Sequence, residues 1–270
     1  MRSSGNRGAS VAEALSIHPS ALVGPDVSIG PDCEVGPFCH FEGRVTIGSR
    51  SRFALGVALG GAPMDRKYLG EDTEVRIGSD NVFHEYTTVH RAAGAGKSTV
   101  VGDGNFIMAY VHIAHNCRVG NGCVITNGVQ LGGHVEVGDG VNIGGLTGIH
   151  QFCRVGSLAM VGACSYVNKD IAPFVVAAGN PCRVRGLNIV GLKRTGLSQP
   201  ALAVLKAAFR LVFRSGLTLS AALDRIEKEL VKAAVPGQGR EQLEEFVGFC
   251  RASERGVELR TGRQAYQEES

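Results

Sequence analysis

The chain has 270 residues, a formal net charge of +3 and 44% hydrophobic residues. So small a charge does not favour a nucleic-acid-binding protein, while the length permits one or two domains with a full hydrophobic core. Residues 1–10 lack the apolar stretch of a signal peptide, and no run approaches about 18 apolar residues. We therefore expect a cytoplasmic protein that is not embedded in a membrane.

The first part of the chain is predicted to be a mobile tail, residues 1–15, with a short helical segment at residues 11–15. From Ile17 onward, an aliphatic or aromatic residue returns at every sixth position. A period of six matches neither the 3.6-residue period of a helix nor the two-residue period of a simple strand. It is typical of hexapeptide repeats, in which each hexad forms one short strand and one corner.

The repeat is clearest in residues 101–167. Three hexads close one triangular coil of a parallel β-helix, so residues three hexads apart stack at a spacing of about 4.8 Å. We expect this domain to span residues 16–190. The sixth-position residues are all aliphatic: Val101, Ile107, Ile113, Val119, Ile125, Leu131, Val137, Ile143, Ile149, Val155, Val161 and Val167.

Two insertions interrupt the repeat, at residues 60–76 and 90–100, and the six-residue spacing resumes after each. Insertions between coils must loop out from the prism. Ordered loops on a rigid scaffold are common places for functional residues.

A helical domain is expected over residues 191–258, followed by a tail over residues 259–270. Serine or threonine at the predicted starts and glycine or proline at the stops mark its helices. The predicted helices are Gln199–Arg214, 218–235 and 240–255. The fold class is therefore mainly β, with a C-terminal α-helical domain. The eight cysteines include no Cys-x-x-Cys pair, which favours free thiols in a reducing compartment over disulfides or zinc.

Basic residues accumulate where the chain leaves the repeat. Residues 171–223 contain no Asp or Glu. Such a segment is either a solvated helix face or a surface for an acidic partner or a phosphate, and we favour the second interpretation. The basic residues are Arg183, Arg185, Lys193, Arg194, Lys206, Arg210 and Arg214.

One stacked column of the repeat combines residues that suit catalysis. His115, Gly133 and Gln151 follow one another at intervals of three hexads and occupy the same place in their hexads, with His112 one short strand away. Histidine is a general base near neutral pH, and a backbone N–H can stabilise developing negative charge. A glycine there lets a reacting carbonyl approach closely. The column predicts acyl-transfer chemistry.

Two interpretations from other classes remain open. A zinc lyase of the gamma-carbonic-anhydrase type would need three imidazoles that converge on one metal, shared across subunits. A diverged solenoid that only binds ligands is the other. No Cys or Ser stands beside His115 in the column, so we expect no covalent enzyme intermediate.

Several motifs resemble those of one family, the UDP-N-acetylglucosamine O-acyltransferases of lipid A biosynthesis. The resemblance covers about residues 16–258. The motifs are Asp65-Arg-Lys67-Tyr-Leu-Gly70, Val89-His-Arg91, His112-Ile-Ala-His115-Asn-Cys117, Leu131-Gly-Gly133-His134, Ile149-His150-Gln151-Phe152 and Gly191-Leu-Lys193-Arg194.

The resemblance implies a left-handed parallel β-helix that assembles as a homotrimer, with active sites between subunits and no cofactor. The implied donor is a 3-hydroxyacyl thioester of acyl carrier protein, and the implied acceptor is the 3-hydroxyl of the UDP-sugar. An N-acyltransferase acting on an amino-sugar nucleotide stays open as an alternative.

The resemblance also implies roles for individual residues. His115 would be the general base and the Gly133 N–H the oxyanion donor, while Ala163 stands where acyl-chain length is measured. The implied substrate contacts are Asp65 and His112 to the sugar, Lys67 and His134 to donor or acceptor, Gln151 and the neighbouring His150 to the nucleotide sugar, Asn188 to uridine and Arg194 to the diphosphate.

Four positions depart from the family pattern, and His115 and Gly133 are not among them. They are Asn116 in place of Asp, Met64 in place of Gln, Val190 in place of Glu and Thr195 in place of Arg.

Overall fold

The computed structural model describes residues 15–234, 237 and 239–261. The predicted parallel β-helix is confirmed: strands pair in parallel, and His112 lies opposite Gln130 on the next coil. Where an insertion intervenes, the step along the chain from one coil to the next is larger, as between Thr88 and its partner His112. The short helix expected at residues 11–15 falls, except for Leu15, outside the described residues.

The strands form the three faces of a prism. Face A has ten strands, face B eight and face C seven. Face A consists of β1 Ser16–Ile17, β4 Glu34–Val35, β7 Arg52–Phe53, β10 Val82–Phe83, β13 Phe106–Ile107, β16 Val124–Ile125, β19 Asn142–Ile143, β22 Met160–Val161, β24 Val175–Ala178 and β25 Arg183–Leu187.

Faces B and C complete each coil. Face B consists of β2 Leu22–Val23, β5 His40–Phe41, β8 Ala58–Gly61, β11 Thr88–His90, β14 His112–Ile113, β17 Gln130–Leu131, β20 Gly148–Ile149 and β23 Tyr166–Val167. Face C consists of β3 Val27–Ile29, β6 Arg44–Ile47, β9 Glu74–Ile77, β12 Ser98–Val101, β15 Arg118–Val119, β18 Glu136–Val137 and β21 Arg154–Val155.

The second residue of most strands points into the prism and is buried. Ile107, Ile113 and Ile125 are each 0% exposed. The first residue of most strands points outward. This alternation is why one six-residue period specifies the whole scaffold.

The corners turn through residues with positive φ. Corner A/B is formed by Phe38, Tyr86, Tyr110, Leu146 and Cys164, together with two glycines, all with φ between 55° and 70°. Corner B/C includes Asn116, His134 and Phe152, with φ of 62°, 61° and 64°. Corner C/A is mostly glycine and aspartate. Bulky side chains rarely adopt this conformation, so their presence at two corners calls for an explanation.

The two insertions leave the prism at corner B/C. Strands β8 and β9 flank the first loop, residues 62–73, and β11 and β12 flank the second, residues 91–97. Both loops are shorter than expected, because the flanking strands extend into each predicted insertion.

The prism ends in a hairpin that the six-residue pattern does not predict. Strands β24 and β25 pair antiparallel, with Val175 opposite Leu187. A short helix, α1 Ile189–Arg194, follows directly, and Asn188 caps its N-terminus by accepting the Gly191 N–H at 3.0 Å.

The helical domain matches the prediction closely in its first helix. Helix α2 spans Gln199–Arg214, with Ser198 as N-cap and a proline in the first turn. Helix α3 Leu219–Arg225 continues as a π-helical turn, Ile226–Val231, and α4 spans Arg240–Arg251. Phe213 packs edge-on to Phe246, with ring centroids 6.4 Å apart, which joins α2 to α4.

The C-terminal segment lies against the prism for longer than expected. Asp170, which is fully buried, accepts a hydrogen bond from the Ser253 hydroxyl at 2.7 Å. Val257 bridges to Asp170 and Thr261 to Val184. The tail expected from residue 259 is therefore paired to the prism as far as Thr261, and residues 262–270 lie outside the described residues.

All eight cysteines are free thiols, as the sequence predicts, and only Cys164 is exposed. Within the described part of the chain, none of the helices has both the length and the apolar character that a membrane span requires.

Candidate active site

The imidazole of His115 rests directly on Gly133. A Cβ at residue 133 would lie 2.6 Å from both Cε1 and Nε2 of that ring, so no larger residue fits without displacing the histidine. The column predicted from the sequence is confirmed, because His134 N–H bonds to His115 C=O at 3.0 Å and Phe152 N–H bonds to Gly133 C=O at 3.0 Å.

Gly133 also presents an unused backbone donor. The N–H groups on either side of it, at Gly132 and His134, bond to carbonyls at 2.9 and 3.0 Å. Among the described residues, no acceptor pairs with the Gly133 N–H itself. A backbone N–H without a partner is uncommon inside a folded scaffold, and one beside an imidazole suits stabilisation of an oxyanion.

The side chain of Asn116 contacts the ring of His115. The Asn116 Oδ1 lies 2.8 Å from His115 Nδ1. Asn116 stands where the family pattern has Asp. The structure shows that it makes the orienting contact as an amide.

His112 projects outward from β14 on face B. Its Nδ1 lies 2.8 Å from Thr88 Oγ1, and its ring meets His90 edge-on with centroids 5.0 Å apart. Burial, followed by the proximity of His90 and His115, lowers the pKa of His112 to about 4. Burial likewise lowers the pKa of His90, whose Nδ1 has no hydrogen-bond partner among the described residues. Sequence reasoning placed His90 in a motif but gave it no role.

His134 lies between two rings. It stacks on Phe152 with centroids 4.6 Å apart and an interplanar angle of 18°, and meets His115 edge-on at 5.3 Å. Burial, then the charges of His115 and Lys97, lowers the pKa of His134, against an opposing effect of Asp65. Phe152 was part of a quoted motif, and its place one coil above His134 was the signal for this stack.

The other residues predicted on this corner are nearby but more open. Gln151 is exposed, and His150 Nδ1 lies 3.1 Å from the Gln151 carbonyl. Asp65 lies in the first loop, where its Oδ1 accepts the Lys67 N–H at 2.9 Å, and Lys67 is exposed. The charge of Asp65 opposes the lowering of the His134 pKa.

Three predicted residues lie at other corners of the same chain. The Nδ2 of Asn188 donates to the Leu158 carbonyl at 2.8 Å, which places Asn188 at corner C/A. Its Oδ1 accepts the Gly191 N–H that caps α1, so both ends of the amide are used. Arg194, at the end of α1, is exposed. Ala163 is exposed beside corner A/B. A single chain does not bring these three to His115.

The basic residues of segment 171–223, which we call the basic strip, are only partly free of counter-ions. Arg183 lies 3.6 Å from the carboxylate of Glu258, which is buried and also pairs with Arg260. Residues 171–223 themselves contain no Asp or Glu, but this counter-ion comes from the distant C-terminal segment. The exposed members are Lys193, Arg194, Lys206, Arg210 and Arg214.

Two further features bear on the alternatives. Among the described residues, no three His, Cys, Asp or Glu side chains converge as metal ligands would. A groove of about 570 Å³ separates face C from α4 and is lined by Arg118, Glu136, Arg154 and Phe249, without a histidine. The groove and the histidine cluster are therefore different places on the molecule.

A parallel β-helix of hexads that sets an imidazole against a free backbone N–H defines the class of hexapeptide-repeat acyltransferases. A family model described as bacterial transferase hexapeptide matches residues 98–133, and one described as UDP N-acetylglucosamine O-acyltransferase, domain 2, matches residues 170–258. The chain belongs to the UDP-N-acetylglucosamine O-acyltransferase family.

Individual relatives support this membership. The acyl-[acyl-carrier-protein]–UDP-N-acetylglucosamine O-acyltransferase of Verminephrobacter eiseniae is 43% identical over 92% of this chain and 97% of its own length. That of Paracidovorax citrulli is 58% identical over 63% of this chain and 66% of its own. The solved UDP-N-acetylglucosamine acyltransferase of Francisella novicida has a TM-score of 0.79 at 30% identity, covering 92% and 95% of the two chains. The β-helix is left-handed, as the resemblance implied.

Proposed function

We propose that this protein transfers a 3-hydroxyacyl chain from acyl carrier protein to the 3-hydroxyl of UDP-N-acetylglucosamine, the first step of lipid A biosynthesis, in the cytoplasm. A relative that covers nearly the whole chain is named for acyl transfer from acyl carrier protein to UDP-N-acetylglucosamine, which supports the proposal. The observation that carries the proposal is the imidazole of His115 lying against Gly133, whose N–H is free among the described residues.

In the proposed mechanism, His115 Nε2 removes the proton from the sugar hydroxyl as its oxygen attacks the thioester carbonyl. Gly133 N–H donates to the resulting oxyanion. When the carbonyl re-forms, the C–S bond breaks, and the phosphopantetheine thiolate takes the proton from His115. The acyl group passes directly to the sugar, without an acyl-enzyme.

The neighbouring histidines suit the uncharged sugar ring of the acceptor. Because the pKa values of His112 and His134 are lowered, both rings are uncharged near neutral pH. Uncharged imidazoles both donate and accept hydrogen bonds, as sugar hydroxyls require. We assign His112 and Asp65 to the sugar, and His134 and Lys67 to positioning donor or acceptor.

The outward residues of the prism indicate which faces are covered in the working assembly. Most outward residues of face C are charged, whereas those of the parallel strands from β10 to β22 on face A and from β11 to β23 on face B carry no charge near neutral pH. Charge favours water on face C, and apolar and neutral residues favour contact on faces A and B. The outward residues are Arg76, Val100, Arg118, Glu136 and Arg154 on face C; Val82, Phe106, Val124, Asn142 and Met160 on face A; and Thr88, His112, Gln130, Gly148 and Tyr166 on face B.

Corner A/B is suited to the axis of a homotrimer. Phe38, Tyr86, Tyr110 and Leu146 are 68%, 46%, 61% and 71% exposed in the single chain. Each has a positive φ, a strained conformation for a bulky residue that costs about 1–3 kcal/mol. Burial of this column between three chains would offset that strain.

Such an assembly brings face A of one subunit against face B of the next. Corner C/A of one subunit then meets corner B/C of its neighbour. Asn188 of the partner subunit and Arg194 of the partner subunit would approach His115, on the diphosphate and uridine side of the acceptor. This arrangement explains why one chain keeps these residues on separate corners. Gln151 and His150 complete the nucleotide-sugar side.

We assign the donor to the exposed part of the basic strip and to the cleft between face A of one subunit and face B of the next in the proposed assembly. Acyl carrier protein is acidic, and a cationic surface speeds its encounter with the enzyme. The acyl chain would lie along the apolar residues of face A, with Ala163 as the position that limits its length.

The direct test is turnover by the purified protein with 3-hydroxyacyl carrier protein and a pair of acceptors. We expect acylation of UDP-N-acetylglucosamine to exceed acylation of its 3-amino analogue, with no change on adding a chelator. The opposite acceptor preference would support the N-acyltransferase alternative. Absence of acyl transfer to either acceptor would contradict the proposal.

A further inference from the structure

The amide of Asn116 is held by the second insertion loop. Its Oδ1 accepts the Ala93 N–H at 2.9 Å, and its Nδ2 donates to the Ala93 C=O at 3.0 Å. The backbone N–H of Asn116 donates to Thr99 Oγ1 at 2.9 Å. The side chain is therefore clamped at both ends by one residue of the 91–97 loop.

This clamp determines which end of the amide faces the histidine. If the amide were reversed, its NH₂ would face the Ala93 N–H and its oxygen would face the Ala93 C=O, which loses both hydrogen bonds. Oδ1 is therefore the atom 2.8 Å from His115 Nδ1. An amide oxygen only accepts, so Nδ1 must carry the proton and Nε2 keeps its lone pair.

We infer that Asn116 is a positioning residue, which holds His115 in the tautomer that a general base needs and which the 91–97 loop in turn holds through Ala93. The inference rests on the proposed role of His115. An Asp at this position would also accept from the ring, but it would place a carboxylate oxygen against the Ala93 carbonyl. The loop and the amide therefore match each other, and the asparagine is not merely a weaker form of an aspartate.

A neutral amide also has a consequence for pH dependence. An Asp at residue 116 would place a negative charge beside the ring and favour the imidazolium, so activity would be lost at a higher pH on the acid side. The surrounding groups stay the same in both forms. Those that face the ring, or lie one shell beyond it, are His90, His112, His134, Glu42, Asp65 and Lys97.

The first experiment records ¹⁵N signals of the histidine side chains in the whole protein. For wild type we expect His115 Nδ1 to be protonated and Nε2 to be unprotonated near neutral pH. In Asn116→Ala we expect a mixture of tautomers. The matched control is Asn121→Ala, at corner C/A, where the amide oxygen also accepts a backbone N–H, from Asp103 at 2.8 Å. That variant should leave the His115 signals unchanged.

The second experiment measures turnover of the same variants. Asn116→Ala should lower kcat by about 10-fold or more with little change in KM. Asn116→Asp should keep the Nδ1–H tautomer and move the acid limb of kcat/KM to higher pH. A wild-type tautomer and wild-type kcat in Asn116→Ala, or an unmoved acid limb in Asn116→Asp, would overturn the inference. Full activity of His115→Ala would overturn the base assignment instead, and the tautomer signals distinguish the two cases.

Discussion

Gly133 has no side chain because the imidazole of His115 occupies the space that a Cβ would need. The same contact places the free N–H of Gly133 beside the imidazole. A carbonyl attacked by an alcohol that the imidazole activates would therefore lie within reach of that N–H. The proposed base and the proposed oxyanion donor are thus one structural unit, and a change in the geometry of either disturbs both. Stacking of successive coils predicts this unit from the sequence, since it depends only on the repeat.

Gly133→Ala tests that unit without removing a functional atom. The new Cβ would lie 2.6 Å from the ring of His115, so the ring must move away from the reacting hydroxyl. We expect kcat to fall by about 100-fold. Gly248→Ala, on helix α4 where nothing lies within 4 Å of the new Cβ, is the control and should keep wild-type activity. Equal kcat values for the two variants would show that the contact is not needed.

The buried histidines make stability sensitive to acid. The pKa of His112 falls to about 4 in the folded protein, below its ordinary value of 6.5, so protons bind the unfolded chain first. The stabilising contribution of the neutral ring is complete above about pH 6.5 and is lost as the pH falls toward about 4.

Urea denaturation at fixed protein concentration measures this loss. Between pH 7 and 5, roughly the range in which histidines titrate, wild type should lose more free energy of unfolding than His112→Asn does. His18→Asn, at an exposed histidine of the first coil, should behave as wild type. A pH dependence that is the same in all three proteins would show that His112 is not held neutral by the fold.

Helix α2 links the prism to the surface assigned to acyl carrier protein. Its buried side holds Leu202, Leu205 and Phe209, and its opposite side carries Lys206 and Arg210, both exposed. Because the apolar side alone anchors the helix, charges on the other side can change without unfolding it. Arg183 is different, since it neutralises the buried Glu258.

A double reversal, Lys206→Glu with Arg210→Glu, should therefore affect only the encounter with the carrier protein. We expect kcat/KM for the carrier-protein thioester to fall by about 10-fold at low salt and less at high salt, with little change for a small thioester analogue. Lys232→Glu, exposed after the π-helical turn, is the control. The same loss with both donors would indicate structural damage rather than a docking surface.

Elements with a period were predictable, and elements without one were not. The six-residue repeat predicts the strands, and capping residues predict both ends of α2. The antiparallel pair Val175–Ala178 and Arg183–Leu187 lies beyond the repeat, so its pairing had no local signal. The clamp of Ala93 on Asn116 depends on the path of an aperiodic loop, which spacing does not specify.

Charge is unevenly distributed over the prism. Most outward residues of face C are charged, whereas those of the parallel strands from β10 to β22 on face A and from β11 to β23 on face B are not. The repeat predicts that outward positions exist, but which face is charged emerges only when successive coils are stacked. The ion pair between Arg183 and Glu258 likewise joins residues that are distant in the chain, and it follows from no local pattern. The stacked structure, and not the repeat alone, therefore indicates which faces meet in the proposed assembly.

Mass measurement in solution tests the assembly. At micromolar concentration we expect three times the 28.4 kDa of one chain. Tyr110→Glu would place a charge in the column at corner A/B and should shift the protein toward monomers. Arg118→Glu, on face C, should leave the mass unchanged. A monomeric wild type would contradict the proposed homotrimer.

The central claim is that His115 is the general base, and His115→Ala tests it most directly. The measurement is kcat for acyl transfer from 3-hydroxyacyl carrier protein to UDP-N-acetylglucosamine, with fold and mass checked in parallel. We expect kcat to fall by about 100-fold or more in a protein that is otherwise intact. Activity close to wild type in the intact variant would contradict it.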